Sequence, residues 1–516
     1  MRPPRRSHAR FARLAAVLLL LAGLPAAAAD FHEWAPSPPM GWNSWDAFGT
    51  TVTEAQVMQQ AEVMAARLKP HGWQYLTVDI QWYQPTARGH AYEEGAALSM
   101  DGHSRLQPAV AKFPSAAGGR GFGPLADKVH ALGLKFGVHM MRGIPRQAVE
   151  RNTPILGTAY RAADIADRGS TCPWNPDMYG VDMARPGAQA YYDSLMQQLA
   201  DWGVDFVKVD DLARPYHQAE VEAIRTAIDR TGRPIVLSIS PGETPLSAGP
   251  HVGGHVNMWR ISDDFWDQWP LLLAQFKRLH DWTPYRRDGA WPDADMLPLG
   301  LVEFGRPTRF TRDEQYTLMT LWSIARSPLI HGGDLTRTDD FTWSLLTNDE
   351  VLAVNQRSRG NRQLFRTEDG LVAWVADGGD GATYLAVFDV RDAPAGAPAT
   401  RAVPVALDTL GLHGRVAVRD LWRRTDLPVA EGTFAPQVAP HGAALFRLRP
   451  VRRVDRPRAA RSPCGTAARS IRPSRRGMST ARAMRKAAPR TAASPCHDLT
   501  SAAATPAVRW PGPHRR

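Results

Sequence analysis

Four short apolar runs in this chain end in groups able to move a proton or hold a hydroxyl: Asp79, His139, Asp210-Asp211 and Ser238/Ser240. Arg260 and Asp263-Asp264 follow a fifth run. Lys208 and Asp210 stand two residues apart, so on an extended strand both side chains point to one face. Burying such a Lys–Asp pair for structure alone is costly in desolvation, which favours a functional reading. A lone Asp at a strand end serves as readily as a helix N-cap; several converging on one rim are harder to explain that way. Two carboxylates across a pocket suit glycoside hydrolysis. One attacks or supports the anomeric carbon, and the other protonates the leaving oxygen. The 17 Trp residues also suit sugar faces, although most of them are expected in the core.

Those residues need a scaffold that brings strand ends together. Short β-like runs, Trp73–Asp79, Leu134–His139, Val204–Asp210, Pro234–Ser240 and Val256–Ile261, alternate with amphipathic stretches. The helical candidates are Glu54–Leu68, Pro124–Leu132, Ala188–Trp202, Gln218–Thr231, Asp267–His280 and Thr311–Ala325. Within one of them Tyr191, Leu195, Leu199 and Trp202 recur at helical spacing and are expected to face a sheet. Repeated strand–helix units predict an α/β fold with parallel strands, a (β/α)8 TIM barrel over residues 30–355. In such a barrel, function gathers at the C-terminal strand ends. From residue 356 to 450 the runs become short and β-rich: Leu371–Trp374, Thr383–Phe388, Ala417–Asp420 and Ala443–Leu448, with Gly, Pro and Asp between them. This predicts a C-terminal antiparallel β-sandwich domain.

Length and charge narrow the class. With 516 residues and 44% hydrophobic content, the chain can bury a large core. Its net charge of +11 hints at a nucleic-acid partner only until it is divided along the chain. Residues 1–29 carry five Arg and no acid, and residues 451–516 carry fifteen Arg and one Lys against two Asp. Removing those ends leaves −8 for residues 30–450. The body is acidic, and nucleic-acid binding loses its main support.

The ends have their own readings. Arg2 to Arg13, the apolar Leu14–Leu24 and Ala27-Ala28-Ala29 form the pattern of a cleaved signal peptide, residues 1–29. That apolar run is short of the ~20 residues that span a bilayer, so a secreted or periplasmic protein without stable membrane association is expected. The basic tail, residues 451–516, is expected to be disordered. It holds Cys464 and Cys496, leaving Cys172 alone in the body and no internal disulfide there. No His-Glu-x-x-His motif or clustered Cys/His ligands appear, so neither metal nor other cofactor is expected. Oligomeric state is left open.

Several segments then make a collinear resemblance. Pro38-Pro39-Met40-Gly41-Trp42-Asn43-Ser44-Trp45 resembles the opening of the barrel in family 27 glycoside hydrolases, the melibiase-type α-galactosidases. Asp205–Asp210 (DFVKVD) resembles that family's fourth strand, and Trp259-Arg260 with Asp264 its sixth. Pro292–Leu297 (PDADML), Leu318–Leu335 and Glu350–Gln356 match as well. The resemblance implies Asp210 as nucleophile and Asp264 as general acid/base of a retaining double displacement that releases terminal α-D-galactosyl residues from oligosaccharides or glycoconjugates. It implies carboxyl groups roughly 5–5.5 Å apart. It also implies that Trp45, Asp79, Lys208, Arg260 and Asp295 hold or shape the sugar site; His139 and Ser240 are further candidates for hydroxyl contacts.

Three departures bear on the substrate. Ile80 stands where the family usually has a second Asp, His139 where a Tyr is common, and Ser238–Gly242 where a Cys-containing segment is usual. An Ile cannot accept a hydrogen bond from a hydroxyl. A β-L-arabinopyranoside, with galactose stereochemistry but no C6 hydroxymethyl, is therefore the alternative substrate, and a carbohydrate-binding protein without catalysis the alternative class.

Overall fold

The structure, a computed structural model, describes residues 30–392 and 399–451. The signal peptide, Cys464, Cys496 and all but the first residue of the basic tail lie outside the described residues. Among those described, no helix is long and apolar enough to cross a membrane.

Eight parallel strands form one curled sheet: β1 (Met40–Asn43), β2 (Tyr75–Val78), β3 (Lys135–Met141), β4 (Phe206–Asp210), β5 (Val236–Ile239), β6 (Met258–Arg260), β7 (Trp291–Asp293) and β8 (Leu329–His331). Their order is β7-β6-β5-β4-β3-β2-β1-β8. A parallel bridge between Leu297, just past β7, and His331 joins the two edges and closes the barrel. Helices α1 (Glu54–Arg67), α2 (Gly123–Ala131), α3 (Ala188–Asp201), α4 (Gln218–Thr231), α5 (Gly249–His255), α6 (Trp269–Trp282), α7 (Arg312–Ala325) and α8 (Asp349–Arg357) complete the layer outside.

The two-residue period of the strands sorts the side chains. Leu76, Val78, Val207, Val209, Leu237, Ile239 and Trp259 join the main core against the helices. Their alternates Tyr75, Phe206, Val236, Met258 and Trp291 form a separate apolar cluster that plugs the barrel's lower end. Continuing by twos along the same face gives Thr77 and Asp79, Lys208 and Asp210, Ser238 and Ser240, Arg260, Asp293 and Asp295. Each inward column thus runs from apolar at the bottom to polar at the mouth. Tyr191, Leu195, Leu199 and Trp202 are buried as the helical spacing predicts.

Helix ends follow local chemistry. Thr53 with Gln56 and Thr311 with Glu314 form capping boxes that start α1 and α7. The helix expected from Asp267 instead begins at Trp269, with Pro270 in its first turn. Asp267 is fully buried as the acceptor of Arg306 at 2.7 Å and Arg309 at 3.3 Å.

After α8 the chain forms a six-stranded antiparallel sheet in the order β9-β10-β11-β14-β12-β13. Its strands are β9 (Arg359–Arg366), β10 (Leu371–Gly379), β11 (Ala382–Asp389), β12 (Arg415–Asp420), β13 (Thr425–Glu431) and β14 (Ala443–Pro450). Alternation again assigns the faces. Val372, Trp374, Ala386, Phe388 and Leu445 belong to the barrel's core cluster, where Phe388 meets Phe276 of α6 at 5.0 Å. Ala373, Val375, Leu385, Val387 and Phe446 face the opposite way, with Val403, Val405, Val416, Val418 and Val438, to make a second core. Short strand pairs, Arg401–Ala402 with Gln437–Val438 and Val405–Ala406 with Thr433–Phe434, contribute to that second layer.

Candidate active site

At the mouth, β4 ends on Asp210. Strand register chooses its neighbours: His139 of β3 pairs with Lys208, and the Ser240 N–H following β5 donates to the Val209 carbonyl at 2.9 Å. As a result, His139 Nε2 lies 2.9 Å from Asp210 Oδ2, and the Ser240 hydroxyl donates to Asp210 Oδ1. Burial would raise the Asp210 pKa. His139, Lys208 and the Ser240 hydroxyl more than offset it and hold the carboxyl well below its ordinary range. His139 and Ser240 were expected to touch sugar; neither lines the cavity. They flank Asp210 because their strands are its sheet neighbours.

Asp79 lies past β2, fully buried. Its Oδ2 accepts from Asn43 Nδ2 at 2.7 Å and from Lys208 Nζ at 2.9 Å. Burial opposes ionisation here too, but Lys208 and His139 lower the Asp79 pKa. Burial likewise works against the Lys208 charge, whereas Asp79 and Asp210 raise its pKa overall.

Across the mouth, Arg260 at the end of β6 lies 2.7 Å from Asp295 Oδ2 and 3.2 Å from Asp264 Oδ1. Asp295 Oδ2 also accepts from the Phe265 N–H at 2.7 Å, which pins the loop carrying Asp264. The Asp264 side chain is 56% exposed, against 10% for Asp210. The neighbouring acids are engaged elsewhere. Asp211 is buried beside Arg142 at 2.7 Å, which also holds Glu220 at 2.8 Å. Asp263 is an exposed partner of Arg214 at 2.7 Å.

Asp79, Lys208, Asp210, Arg260, Asp264 and Asp295 face one cavity of about 210 Å³, together with Trp45 and Ile80. Trp45 is half-buried in its wall, stacked near Tyr92 with ring centroids 6.3 Å apart, with His90 edge-on at 4.9 Å. His90, Tyr92, Trp174 and Trp266 were not anticipated; all four come from loops without apolar periodicity. Asp46 was also missed. It is buried in the cavity wall, packed so close to Gly332 that a Cβ there would meet its Oδ2 at 1.9 Å. The cavity holds five carboxylates, Asp46 included, against two cations. Burial, then the neighbouring Asp295, pushes Asp46 well above the ordinary carboxylate range; burial also raises Asp295, and Asp293 beneath it reaches about 7. A larger hollow of about 490 Å³, lined by Tyr316, Trp422 and Phe434, contains none of the expected site residues.

The family model for α-galactosidase A matches residues 156–357, and that for the α-galactosidase C-terminal β-sandwich domain matches 368–448. A family 27 β-L-arabinopyranosidase from Geobacillus stearothermophilus, solved with arabinose, is 51% identical, covering 82% of this chain and all of that one, with a TM-score of 0.80. The chain belongs to glycoside hydrolase family 27. It is a glycosyl hydrolase acting on carbohydrate. A structure described as a putative α-N-acetylgalactosaminidase from Bacillus halodurans is 46% identical, covering 80% of this chain and 97% of that one, with a TM-score of 0.72. The α-galactosidase of Cyamopsis tetragonoloba is 27% identical over 423 residues, 80% of this chain and 86% of its own. Unlike the catalytic carboxylates expected of a family 27 enzyme, Cys172 is a buried free cysteine. Burial pushes its thiol up to about 12, which suits packing and not nucleophilic attack.

Proposed function

We propose that this family 27 enzyme is a retaining glycosidase that prefers terminal β-L-arabinopyranosides to α-D-galactosides. The observation that carries the preference is Ile80. It lines the cavity beside Asp79 with an apolar side chain that can pack on a sugar but cannot bond a C6 hydroxyl. A pyranoside without that hydroxymethyl avoids stranding a polar group against an apolar wall, which costs roughly 1–3 kcal/mol. The high identity to a β-L-arabinopyranosidase supports this reading over the α-D-galactoside expected from the motifs.

In the mechanism, Asp210 is the nucleophile. Its contacts with His139 and Ser240 and the nearby charge of Lys208 favour the carboxylate form, and an ionised carboxylate is what attacks the anomeric carbon. Asp264 is the acid that protonates the departing oxygen and the base that activates water in the second step. Its exposure allows proton exchange with solvent, and Arg260 orients it from 3.2 Å. Asp79 and Lys208 bind ring hydroxyls, Trp45 forms a wall, and Arg260 and Asp295 close the far side. The N-terminal pattern supports export as the setting for this activity.

A panel of nitrophenyl glycosides with the parent enzyme and Ile80→Asp tests the assignment. The parent is expected to favour the β-L-arabinopyranoside, and the variant to move the ratio toward the α-D-galactoside by about 10–100-fold. A parent that prefers the galactoside, with a ratio indifferent to position 80, overturns the preference. Product of inverted configuration overturns the mechanism.

A further inference from the structure

Away from the barrel mouth, tertiary packing assembles a second chemical cluster. His251 and His255 stand four residues apart on α5, so their rings share one face of the helix, with centroids 4.1 Å apart and planes 15° from parallel. Glu222 of α4 reaches the same place, its Oε1 2.9 Å from His251 Nε2. One ligating atom from each of the three residues falls within a set no wider than 4.8 Å. None of them belongs to the active-site cavity.

The other ring nitrogens have partners of a particular kind. His255 Nδ1 lies 2.9 Å from the His251 carbonyl, which can only accept. Nδ1 must therefore carry the proton, and Nε2 of the neutral ring keeps its lone pair. His251 Nδ1 lies 2.7 Å from the Tyr216 hydroxyl, which can accept from it in the same way. Such outer contacts orient metal-binding imidazoles and fix their tautomers. A helix–helix salt bridge needs only His251 and Glu222. It does not explain a second imidazole turned onto the first with its donor nitrogen already occupied.

We propose that Glu222, His251 and His255 form a binding site for a divalent transition cation, best suited to zinc, with water as a fourth ligand. Two imidazoles and a carboxylate are a donor set that zinc accepts at about 2.0–2.2 Å. At those lengths tetrahedral ligand atoms stand roughly 3.3–3.5 Å apart. Closing the cluster to that size requires rotation of the exposed Glu222 and a turn of the two imidazoles out of their near-parallel stack, since each lone pair lies in its own ring plane. The site clips α4 to α5. Through Tyr216 it also braces the loop after Asp210, whose Arg214 holds Asp263 next to the proposed acid. Its role is structural, and it makes no contact with the sugar.

The test uses the full chain, produced without a polyhistidine tag and stripped with a chelator. Calorimetric titration with zinc chloride is expected to show one saturable equivalent, and zinc is expected to raise the thermal midpoint. His255→Gln and Glu222→Gln should each lose most of both effects while hydrolysing nitrophenyl glycosides at the parent's rate, which confirms that they are folded. Cobalt should give the intense visible absorption of a tetrahedral site in the parent alone. If the parent takes up no saturable zinc, the site does not exist. If a His251→Gln/His255→Gln double variant binds zinc as tightly as the parent, the metal sits elsewhere among the 16 histidines and the assignment fails.

Discussion

Asp210 and Asp264 face one cavity from opposite sides of the barrel mouth, and the two sides are built differently. On the β4 side the carboxylate is buried and touched by His139 and Ser240, with Lys208 two residues below on the same face. On the β6 side the carboxylate sits on a loop, more than half exposed, with Arg260 at 3.2 Å. The first arrangement suits a group that stays ionised and fixed in line with a reacting carbon. The second suits a group that gives up one proton and takes one back in each cycle. In the proposed mechanism, two residues of one chemical type are separated in role by their surroundings.

Four substitutions test this contrast. Asp210→Asn should cost the most, on the order of 10⁴-fold or more in kcat, because no neighbour can replace the attacking oxygen. Pre-steady-state and steady-state turnover on the activated glycoside measure it, and a variant within about tenfold of the parent would reverse the two roles. Asp264→Asn should lose roughly 10²–10⁴-fold on poor leaving groups, but far less on nitrophenyl substrates that depart without a proton. Azide should restore its turnover and yield a glycosyl azide of retained configuration; azide has no such route in Asp210→Asn.

Lys208→Met probes what keeps Asp210 ionised. Removing a cation that lowers the Asp210 pKa must raise that pKa, so the acidic limb of kcat/KM should move to higher pH. The loss at the optimum should be about 10–100-fold, the scale of a hydrogen bond to a charged group. An acidic limb that stays in place means another group sets it. Ser240→Ala removes one neutral donor to the same carboxylate and should reduce kcat/KM by up to about tenfold, with KM little changed. An equal effect from Ser240→Ala and Lys208→Met would show that charge is not what distinguishes the two sides.

Much of this arrangement is legible in the chain itself. Strands β2 and β4 to β6 lie within apolar runs long enough to be seen, β3 starts in one and continues two residues past His139, and the polar ends of these runs are where the cavity forms. Strands β1, β7 and β8 have three or four residues each, as do β2, β5 and β6, but Gly and Pro interrupt the residues in and around them and β7 contains Pro292, so no longer apolar run marks them. The motif resemblance, and not alternation, marks Met40–Asn43 and Trp291–Asp293 as parts of the barrel. His139 and Ser240 were expected at the mouth and are there, but facing a carboxylate. Which group a strand-end residue touches depends on which strand lies beside it. His90, Tyr92, Trp174 and Trp266 had no local signal, because a loop's path is set by what it packs against. The proposed zinc site divides in the same way: the His-x3-His spacing is local, whereas Glu222 joins it only where α4 meets α5.

Which side of each strand is polar at its C-terminal end was already set by the order of residues, because side chains alternate with a period of two whatever the strand packs against. That order therefore determined that Phe206, Lys208 and Asp210 share one face, running from apolar plug to mouth. Only the tertiary structure decided that Lys208 bonds Asp79, that Arg260 reaches both Asp264 and Asp295, and that Asp46 is buried among other acids. Those contacts depend on strand order, register and closure of the sheet, which join residues far apart in the chain. The charge state of each carboxylate follows from them, since it depends on distances to neighbours that no local pattern contains.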